Sequence, residues 1–162
     1  MRKPLTGNLS NFVKLRKLRK NDLKMLRFWR NANRKFFFNK DVVSPKMQIN
    51  WYYDRYLKNP NDTIYIVLYK NVPVGTLAMI KHDNGELEIG RVMLGEKKYA
   101  RKGIMGKALE LLLKLYEENN TDMKRFFLEV IRTNKSAIEF YEKHGFKQIE
   151  EKADEIVMTK DI

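Results

Sequence analysis

The sequence predicts a mixed α/β fold in which a central, mostly antiparallel sheet carries helices on both faces. Several segments alternate apolar and polar residues with the period of two that is typical of strands. Others repeat apolar residues every three or four positions, as amphipathic helices do. Their order along the chain is a strand, two helices, three strands, a helix, a strand, a helix and a final strand pair. This order predicts helices on both faces of a mixed sheet.

The first strand and the first helix are predicted near the start of the chain. Phe12–Leu18 alternates apolar and basic residues, which indicates a half-buried strand. Asn21 or Asp22 caps the helix that follows, and this helix is expected to end near Asn33.

A second helix begins at Ser44–Pro45, because proline is favoured in the first turn of a helix. It is predicted to run to about Leu57, where the segment Asn59–Asp62 breaks it. Three of its residues are predicted to face inward: Met47, Trp51 and Tyr52.

Three consecutive antiparallel strands follow. Thr63–Lys70 and Pro73–His82 are joined by a tight turn at Asn71–Val72, and Asp83–Gly85 is a hairpin signal that leads into Glu86–Leu94.

The last third of the chain alternates helices and strands. A helix is predicted from Arg101 to about Glu118, a fifth strand over Lys124–Ile131 and a short helix over Asn134–Lys143. Two final strands are predicted over residues 146–150 and 155–159.

Length and composition narrow the class of protein. The 162 residues, 43% of them hydrophobic, predict a single domain over residues 1–162. No run of about twenty apolar residues exists, so we expect no membrane span. The absence of cysteine and of a secretory signal predicts a cytoplasmic location. No metal is expected, because His82 and His144 lack carboxylates at metal-ligand spacing.

The positive charge is concentrated in the first quarter of the chain. The formal net charge is +13, and residues 1–40 contain 13 Lys and Arg against one acidic residue, Asp22, a net of +12. The remaining residues hold 20 basic and 19 acidic side chains, a net of +1. Such an asymmetry predicts an anionic partner, either nucleic acid or a phosphate-bearing small molecule.

The loop after the Glu86–Leu94 strand is a candidate anion site. Gly103 lets the backbone approach a ligand closely, and free N–H groups at the start of the following helix carry a partial positive charge. Arg101, Lys102 and Lys107 add full charges at the same turn. These features predict a pyrophosphate site. The alternatives are that Gly103 forms an ordinary turn and that the lysines are a solvated face.

The segment Asn134–Phe146 combines a helix start, one tyrosine and a glycine stop. Helical periodicity places Ala137, Ile138 and Tyr141 on one face. A tyrosine held there can donate its phenolic proton, which makes Tyr141 a candidate acid. The alternative is that Tyr141 is a packed core aromatic.

These segments resemble the GNAT superfamily of acetyl-CoA-dependent N-acetyltransferases over roughly residues 63–158 and, less distinctively, over the N-terminal third. The resemblance implies a GNAT fold whose sheet splays between strands four and five, with acetyl-CoA as the cofactor. It implies that backbone groups at Val92, Met93 and Leu94 contact the pantetheine arm. The other implied cofactor contacts are Arg101, Lys102, Gly103, Ile104, Met105, Gly106, Asn134 and Ala137.

The glycine loop departs from the family's usual pattern of Arg or Gln, two residues, Gly, one residue, and Gly or Ala. Aligned on Gly103, the first position holds Ala100 and the last holds Met105. Arg101 and Gly106 lie one position further along the chain.

The resemblance also implies the chemistry. Backbone N–H groups at residues 92–94 would bind the thioester carbonyl oxygen, and Tyr141 would protonate the departing thiolate. Glu88 would accept the proton of the amine, as in many relatives, with Glu86 as the reserve. The alternative for Glu88 is a solvent-facing strand residue.

The acceptor site of this family is formed by the two N-terminal helices, and here that region is basic and aromatic. It resembles the branch that holds nucleotide-amino-sugar and ribosomal-protein N-terminal acetyltransferases. The implied acceptor contacts are Trp29, Arg30, Asn31, Arg34, Phe37 and Trp51. The alternative is that the aromatic residues are core and the arginines a solvated surface.

The sequence therefore predicts an N-acetyltransferase that moves acetyl from acetyl-CoA to a primary amine of a small anionic acceptor, first of all a nucleotide-linked amino sugar. Acetylation of a protein N-terminus is the alternative within the same class. A non-catalytic nucleic-acid or ribosome-binding module is the alternative outside it, although nucleic acid is not the expected partner. We expect a monomer or homodimer.

Overall fold

The computed structural model describes residues 9–162 and shows them folded around one seven-stranded mixed sheet with α-helices on both faces. The predicted fold class is confirmed. Two basic residues of the N-terminal quarter, Arg2 and Lys3, lie outside the described residues. Within residues 9–162, no helix is both long and apolar enough to cross a membrane.

The order of the strands in the sheet is β1-β2-β3-β4-β5-β7-β6. The strands are β1 (Val13–Lys17), β2 (Asp62–Tyr69), β3 (Val72–Lys81), β4 (Glu86–Leu94), β5 (Arg125–Ile131), β6 (Lys147–Glu151) and β7 (Glu155–Asp161). The helices are α1 (Leu23–Ala32), α2 (Pro45–Trp51), α3 (Ile104–Asn119) and α4 (Lys135–Lys143). All neighbouring strands are antiparallel except the parallel pair of β4 and β5.

The sheet splits between β4 and β5. Their register pairs Glu86–Glu88 with Arg125–Phe127 and ends there, although β4 continues to Leu94 and β5 to Ile131. Beyond Glu88, the edge of β4 that faces β5 therefore has no partner strand. Backbone N–H and C=O groups on such an edge need hydrogen-bond partners other than a strand, and a ligand in the split can provide them.

Two apolar clusters lie on opposite faces of the sheet. One packs α3 and α4 against the sheet and includes the fully buried Leu109, Leu112 and Phe126. The other packs α1 and α2 against the opposite face and includes Trp29 and Ile64. Because both faces are covered, the central strands are buried on both sides.

The structure corrects several predicted boundaries. The third helix begins at Ile104, not at Arg101, because Gly103 adopts a left-handed φ of +74° that a helix cannot include. The second helix ends at Trp51 and continues as a π-helical turn, Tyr52–Tyr56. Met47 is exposed, and Gln48 faces inward in its place.

The entry to α1 contains an ion pair on which we base a prediction for acid stability. Both carboxylate oxygens of Asp22 accept hydrogen bonds from Arg16, at 2.7 and 2.8 Å, and one also accepts from the backbone N–H of Arg19 at 2.8 Å. Burial raises the pKa of Asp22, but these bonds outweigh it and hold the pKa below its ordinary value.

Because the folded-state pKa of Asp22 is depressed, its stabilisation is present above the unfolded pKa of about 3.9 and is lost as the pH falls through the folded value. At pH 7, Asp22→Asn should lower the free energy of unfolding by about 1.5–3 kcal/mol. Denaturant titrations should show this difference shrinking as the pH falls from the unfolded pKa of about 3.9 through the depressed folded value. A difference that is independent of pH would contradict the assignment.

Candidate active site

A cavity of about 340 Å³ occupies the split in the sheet. Its walls come from β4, β5, α4 and the segment that follows α1. Five of the residues predicted from the sequence line it: Glu88, Val92, Asn134, Ala137 and Tyr141. Phe37, predicted as an acceptor contact, also lines this cavity. The split thus brings together residues from four distant parts of the chain.

Tyr141 points from α4 into the region of the split and is only 7% exposed. Its ring packs edge-on against Phe140 and Phe146, with centroids 5.2 and 5.9 Å away. Burial alone raises the pKa of Tyr141, so the phenol stays protonated at neutral pH. The side chain is therefore both a packed aromatic and a potential proton donor.

Asn134 fixes the start of α4 beside this tyrosine. Its side-chain oxygen accepts from the backbone N–H of Ala137 at 3.3 Å, which caps the helix. The hydroxyl of Ser136 donates to the same oxygen at 3.3 Å. Capping accounts for an asparagine at this position, and Asn134 also lines the cavity.

A β-bulge in β4 lies directly at the split. Between the pairs Ala78–Gly90 and Thr76–Met93, the register shifts and β4 has one extra residue. Arg91 at the bulge has a φ of +49°, which is rare for a residue other than glycine. Two contacts hold it there: its guanidinium binds both oxygens of Asp62 at 2.8 Å, and its carbonyl accepts from Thr76 Oγ1 at 2.7 Å.

The backbone groups predicted to contact the cofactor divide at this bulge. Met93 and Leu94 pair with residues of β3, whereas Val92 lies in the bulge and lines the cavity. The side chain of Met93 is buried in the cluster under α1. Val92 is therefore the member of this trio that faces the split.

Glu88 lines the cavity at the point where β4 and β5 separate. One of its carboxylate oxygens lies 2.7 Å from Nε2 of His82, and the His82 ring packs against Phe127. Glu86, the reserve base, instead binds Arg125 and Asn84 and does not line the cavity.

The predicted pyrophosphate turn lies at the start of α3. Arg101 and Gly103 both have left-handed φ angles, of +60° and +74°, and Arg101, Lys102 and Gly103 are exposed. The backbone N–H of Lys107 donates a hydrogen bond to the Gly103 carbonyl at 3.0 Å, which joins α3 to the turn. The N–H groups before Lys107 belong to the first turn of α3, where a helix has no internal acceptors.

Three other predicted contacts in α3 have structural roles. Ile104 is 1% exposed and packs in the core, and Met105 packs against it. Gly106 faces α4, where a Cβ atom would come within 2.9 Å of His144 Nε2. The missing side chain at Gly106 therefore serves helix packing, and only its backbone N–H remains for a ligand.

The acceptor residues predicted from the sequence separate into two groups. The structure places Trp29 in the core, 1% exposed, where its Nε1 donates to Glu96 at 3.0 Å, so its expected place in the acceptor pocket is corrected. The side chain of Asn31 donates to the Val43 carbonyl at 3.0 Å and accepts from the Val43 N–H at 2.8 Å. These two hydrogen bonds hold the segment between α1 and α2 in place. Arg34 is exposed and does not line this cavity.

The remaining three, Arg30, Phe37 and Trp51, line a second cavity of about 370 Å³ between α1, α2 and the sheet. Sequence reasoning missed two further arginines there, Arg55 and Arg91. Arg55 lies in the π-helical turn and Arg91 in the bulge, and hydrophobic periodicity shows neither feature.

Within residues 9–162, no group of three His, Cys, Asp or Glu side chains is placed to hold a metal ion.

Comparisons with known proteins agree with this architecture. The sequence matches the acetyltransferase (GNAT) family over residues 25–146. No curated protein matches it. Many solved structures share the fold, and three of them do so over nearly the whole chain at 18–22% identity.

The first is AAC(6')-Ib in complex with ribostamycin and coenzyme A, 20% identical with a TM-score of 0.81, covering 93% of each chain. The second is FdhC, a nucleotide-linked sugar GNAT, 22% identical with a TM-score of 0.73, covering 93% of this chain and 87% of that one. The third is RimL, the ribosomal L7/L12 α-N-protein acetyltransferase in complex with coenzyme A, 18% identical with a TM-score of 0.77, covering 95% and 96%.

Proposed function

Because the chain belongs to the GNAT acetyltransferase family, we propose that it transfers acetyl from acetyl-CoA to a primary amine of a small anionic acceptor. The observation that carries this proposal is the split between β4 and β5, which opens beside the buried hydroxyl of Tyr141. A nucleotide-linked amino sugar is the acceptor that we favour.

The residues fit acetyl-CoA at two places. The exposed, positively charged turn at Arg101–Gly103 leads into the first N–H groups of α3, a combination that suits a pyrophosphate. The open edge of β4 at Val92 suits the amide groups of an extended pantetheine arm, because free strand edges bind extended chains. Acetyl-CoA supplies the acetyl group as a reactive thioester.

The residues at the split then have distinct tasks. Glu88 accepts a proton from the ammonium group of the acceptor, which leaves a neutral amine able to attack the carbonyl carbon. Backbone N–H of the bulge at Val92 stabilises negative charge on the carbonyl oxygen. Tyr141 donates its phenolic proton to sulfur as the carbon–sulfur bond breaks.

Burial makes Tyr141 a weaker acid, which bears on this last step. A thiolate that forms in the same desolvated split is destabilised by the same effect and becomes a stronger base. Burial therefore shifts the phenol and the thiolate in the same direction, and it does not by itself oppose the proton transfer.

The anionic character of the acceptor is supported by charge. Arg27, Arg30, Arg55 and Arg91 line the second cavity, which shares Phe37 and Arg91 with the split. A polycationic acceptor would be repelled there, and an anionic one attracted. FdhC, one of the structures similar to this chain, is described as a nucleotide-linked sugar GNAT.

Incubation with labelled acetyl-CoA and a panel of UDP- and TDP-linked amino sugars tests the proposal. We expect acetyl transfer and release of coenzyme A thiol with at least one member of the panel. Absence of turnover and of calorimetric binding with every member would eliminate the sugar assignment. Transfer to the N-terminus of a ribosomal protein in a parallel assay would replace it.

A further inference from the structure

The second cavity is unusual in its charge. It lies between α1, α2 and the sheet, and four of its lining residues are Arg27, Arg30, Arg55 and Arg91, whereas none is aspartate or glutamate. Like charges around one cavity repel one another, and a bound anion relieves that repulsion.

Arg30 is the most constrained of the four. Its Nη2 donates to the backbone carbonyl of Asn39, and its guanidinium lies 4.2 Å from the centroid of the Phe37 ring. Its Nη1 is buried and has no hydrogen-bond partner among the described residues. Desolvation lowers the pKa of Arg30, which means that its charge is held at a cost.

The neighbouring groups only partly balance this charge. Arg91 is neutralised by its bidentate pair with Asp62, and Asp41 acts on Arg30 only through space from an exposed position. Arg27 donates to the neutral amide of Gln48 at 3.4 Å. An anion in the cavity would offset the remaining positive charge.

We propose that this cavity binds a phosphoryl group of the acceptor, as a phosphate monoester or a diphosphate. Several guanidinium groups around one cavity suit a phosphoryl group, because arginine binds its oxygens through paired N–H bonds. Phe37 and Trp51 add aromatic faces beside the arginines, on which a nucleobase can stack. The inference rests on the proposed function and specifies where its acceptor is anchored.

The amine end of the same acceptor then reaches the split. Phe37 and Arg91 line both cavities, so the two spaces adjoin. Glu88 and Glu129 both line the cavity in the split, but Glu129 pairs with Lys152 at 3.6 Å, so Glu88 is the carboxylate that we assign to the ammonium group. The arginines at the other end of the site suit a phosphoryl group. This separation orients an acceptor that carries both charges.

Isothermal titration calorimetry with inorganic diphosphate tests the site without knowledge of the acceptor. The protein is first saturated with coenzyme A, so that the turn at α3 is occupied, and titrated at low ionic strength, where surface charges are weakly screened. We expect binding that Arg55→Gln and Arg30→Gln each weaken by about tenfold or more, since each removes a charge-assisted hydrogen-bond donor. Lys46→Gln is the matched control, because Lys46 is exposed on α2 and does not line the cavity. The diphosphate affinity of this variant should stay within about twofold of wild type.

Unchanged affinity in Arg55→Gln would overturn the proposal even if Arg30→Gln disturbs the fold, because Arg55 is exposed. Equal or tighter binding of succinate would also overturn it, since a dicarboxylate would then be the preferred anion. Failure of acetyl-CoA to bind in a separate titration would remove the proposed function. The arginine variants would still report on the anion site in that case.

Discussion

Tyr141→Phe should lower kcat by about 100-fold or more while leaving the affinity for acetyl-CoA nearly unchanged. The substitution removes one hydroxyl and preserves the ring that packs against Phe140 and Phe146. The fold should therefore persist, and the loss should fall on the step in which sulfur receives a proton. Steady-state kinetics combined with calorimetric titration of acetyl-CoA measure both quantities.

Tyr116→Phe is the matched control for this variant. Tyr116 is also a buried tyrosine, but its hydroxyl bonds to that of Tyr65 at 3.1 Å, and Tyr116 does not line the split. We expect its kcat to stay within a few-fold of wild type, with a stability loss of about 1 kcal/mol. Wild-type kcat in Tyr141→Phe would show that another group protonates the sulfur.

Trp29→Ala should destabilise the protein by about 3–5 kcal/mol, which is a large part of the stability of a domain of this size. The Trp29 ring is 1% exposed, and a Cβ atom added at Gly95 would lie only 2.0 Å from it. The indole thus fills the space between α1 and the end of β4. Thermal and urea unfolding of the variant measure the loss.

Trp51→Ala separates packing from acceptor binding. Trp51 is only partly buried, stacks on Tyr56 with centroids 5.3 Å apart and lines the second cavity. Its removal should cost less stability than that of Trp29 and should raise the KM of the acceptor.

A Trp29→Ala protein with the melting temperature of wild type would contradict the assignment of Trp29 to the core.

Much of the fold follows from local patterns in the sequence. Alternation and turn signals predicted the Glu86–Leu94 strand with its observed bounds, and the hairpin signal before it is a turn in the structure. The Asn134 cap and the helix that it begins were also predicted, because capping residues act within one turn of the chain. Such features depend on neighbours close in sequence.

The features that sequence reasoning missed depend on partners far away in the chain. The left-handed φ of Arg91 is maintained by Asp62 and Thr76, which lie on β2 and β3. For Trp29 the core was one of two open alternatives, and Gly95, remote in sequence, decides for it because it leaves room for the ring. No periodicity within α1 or β4 distinguishes a tryptophan that packs in the core from one that meets an acceptor.

The positive charge of the N-terminal quarter also could not be interpreted from the sequence alone. Counting residues gave the basic excess but did not show which basic side chains form ion pairs within the protein and which line a cavity. Arg16 is committed to Asp22, whereas Arg27 and Arg30 line a cavity. Only the tertiary structure adds Arg55 and Arg91 to that cavity.

A crystal structure of the complex with coenzyme A shows whether the split holds the thioester beside Tyr141. We expect the pyrophosphate at the turn before α3 and the thiol sulfur in the split, within about 3.5 Å of the Tyr141 hydroxyl or one bridging water away. Coenzyme A bound outside the split, or a sulfur farther from that hydroxyl than one water can bridge, would contradict it.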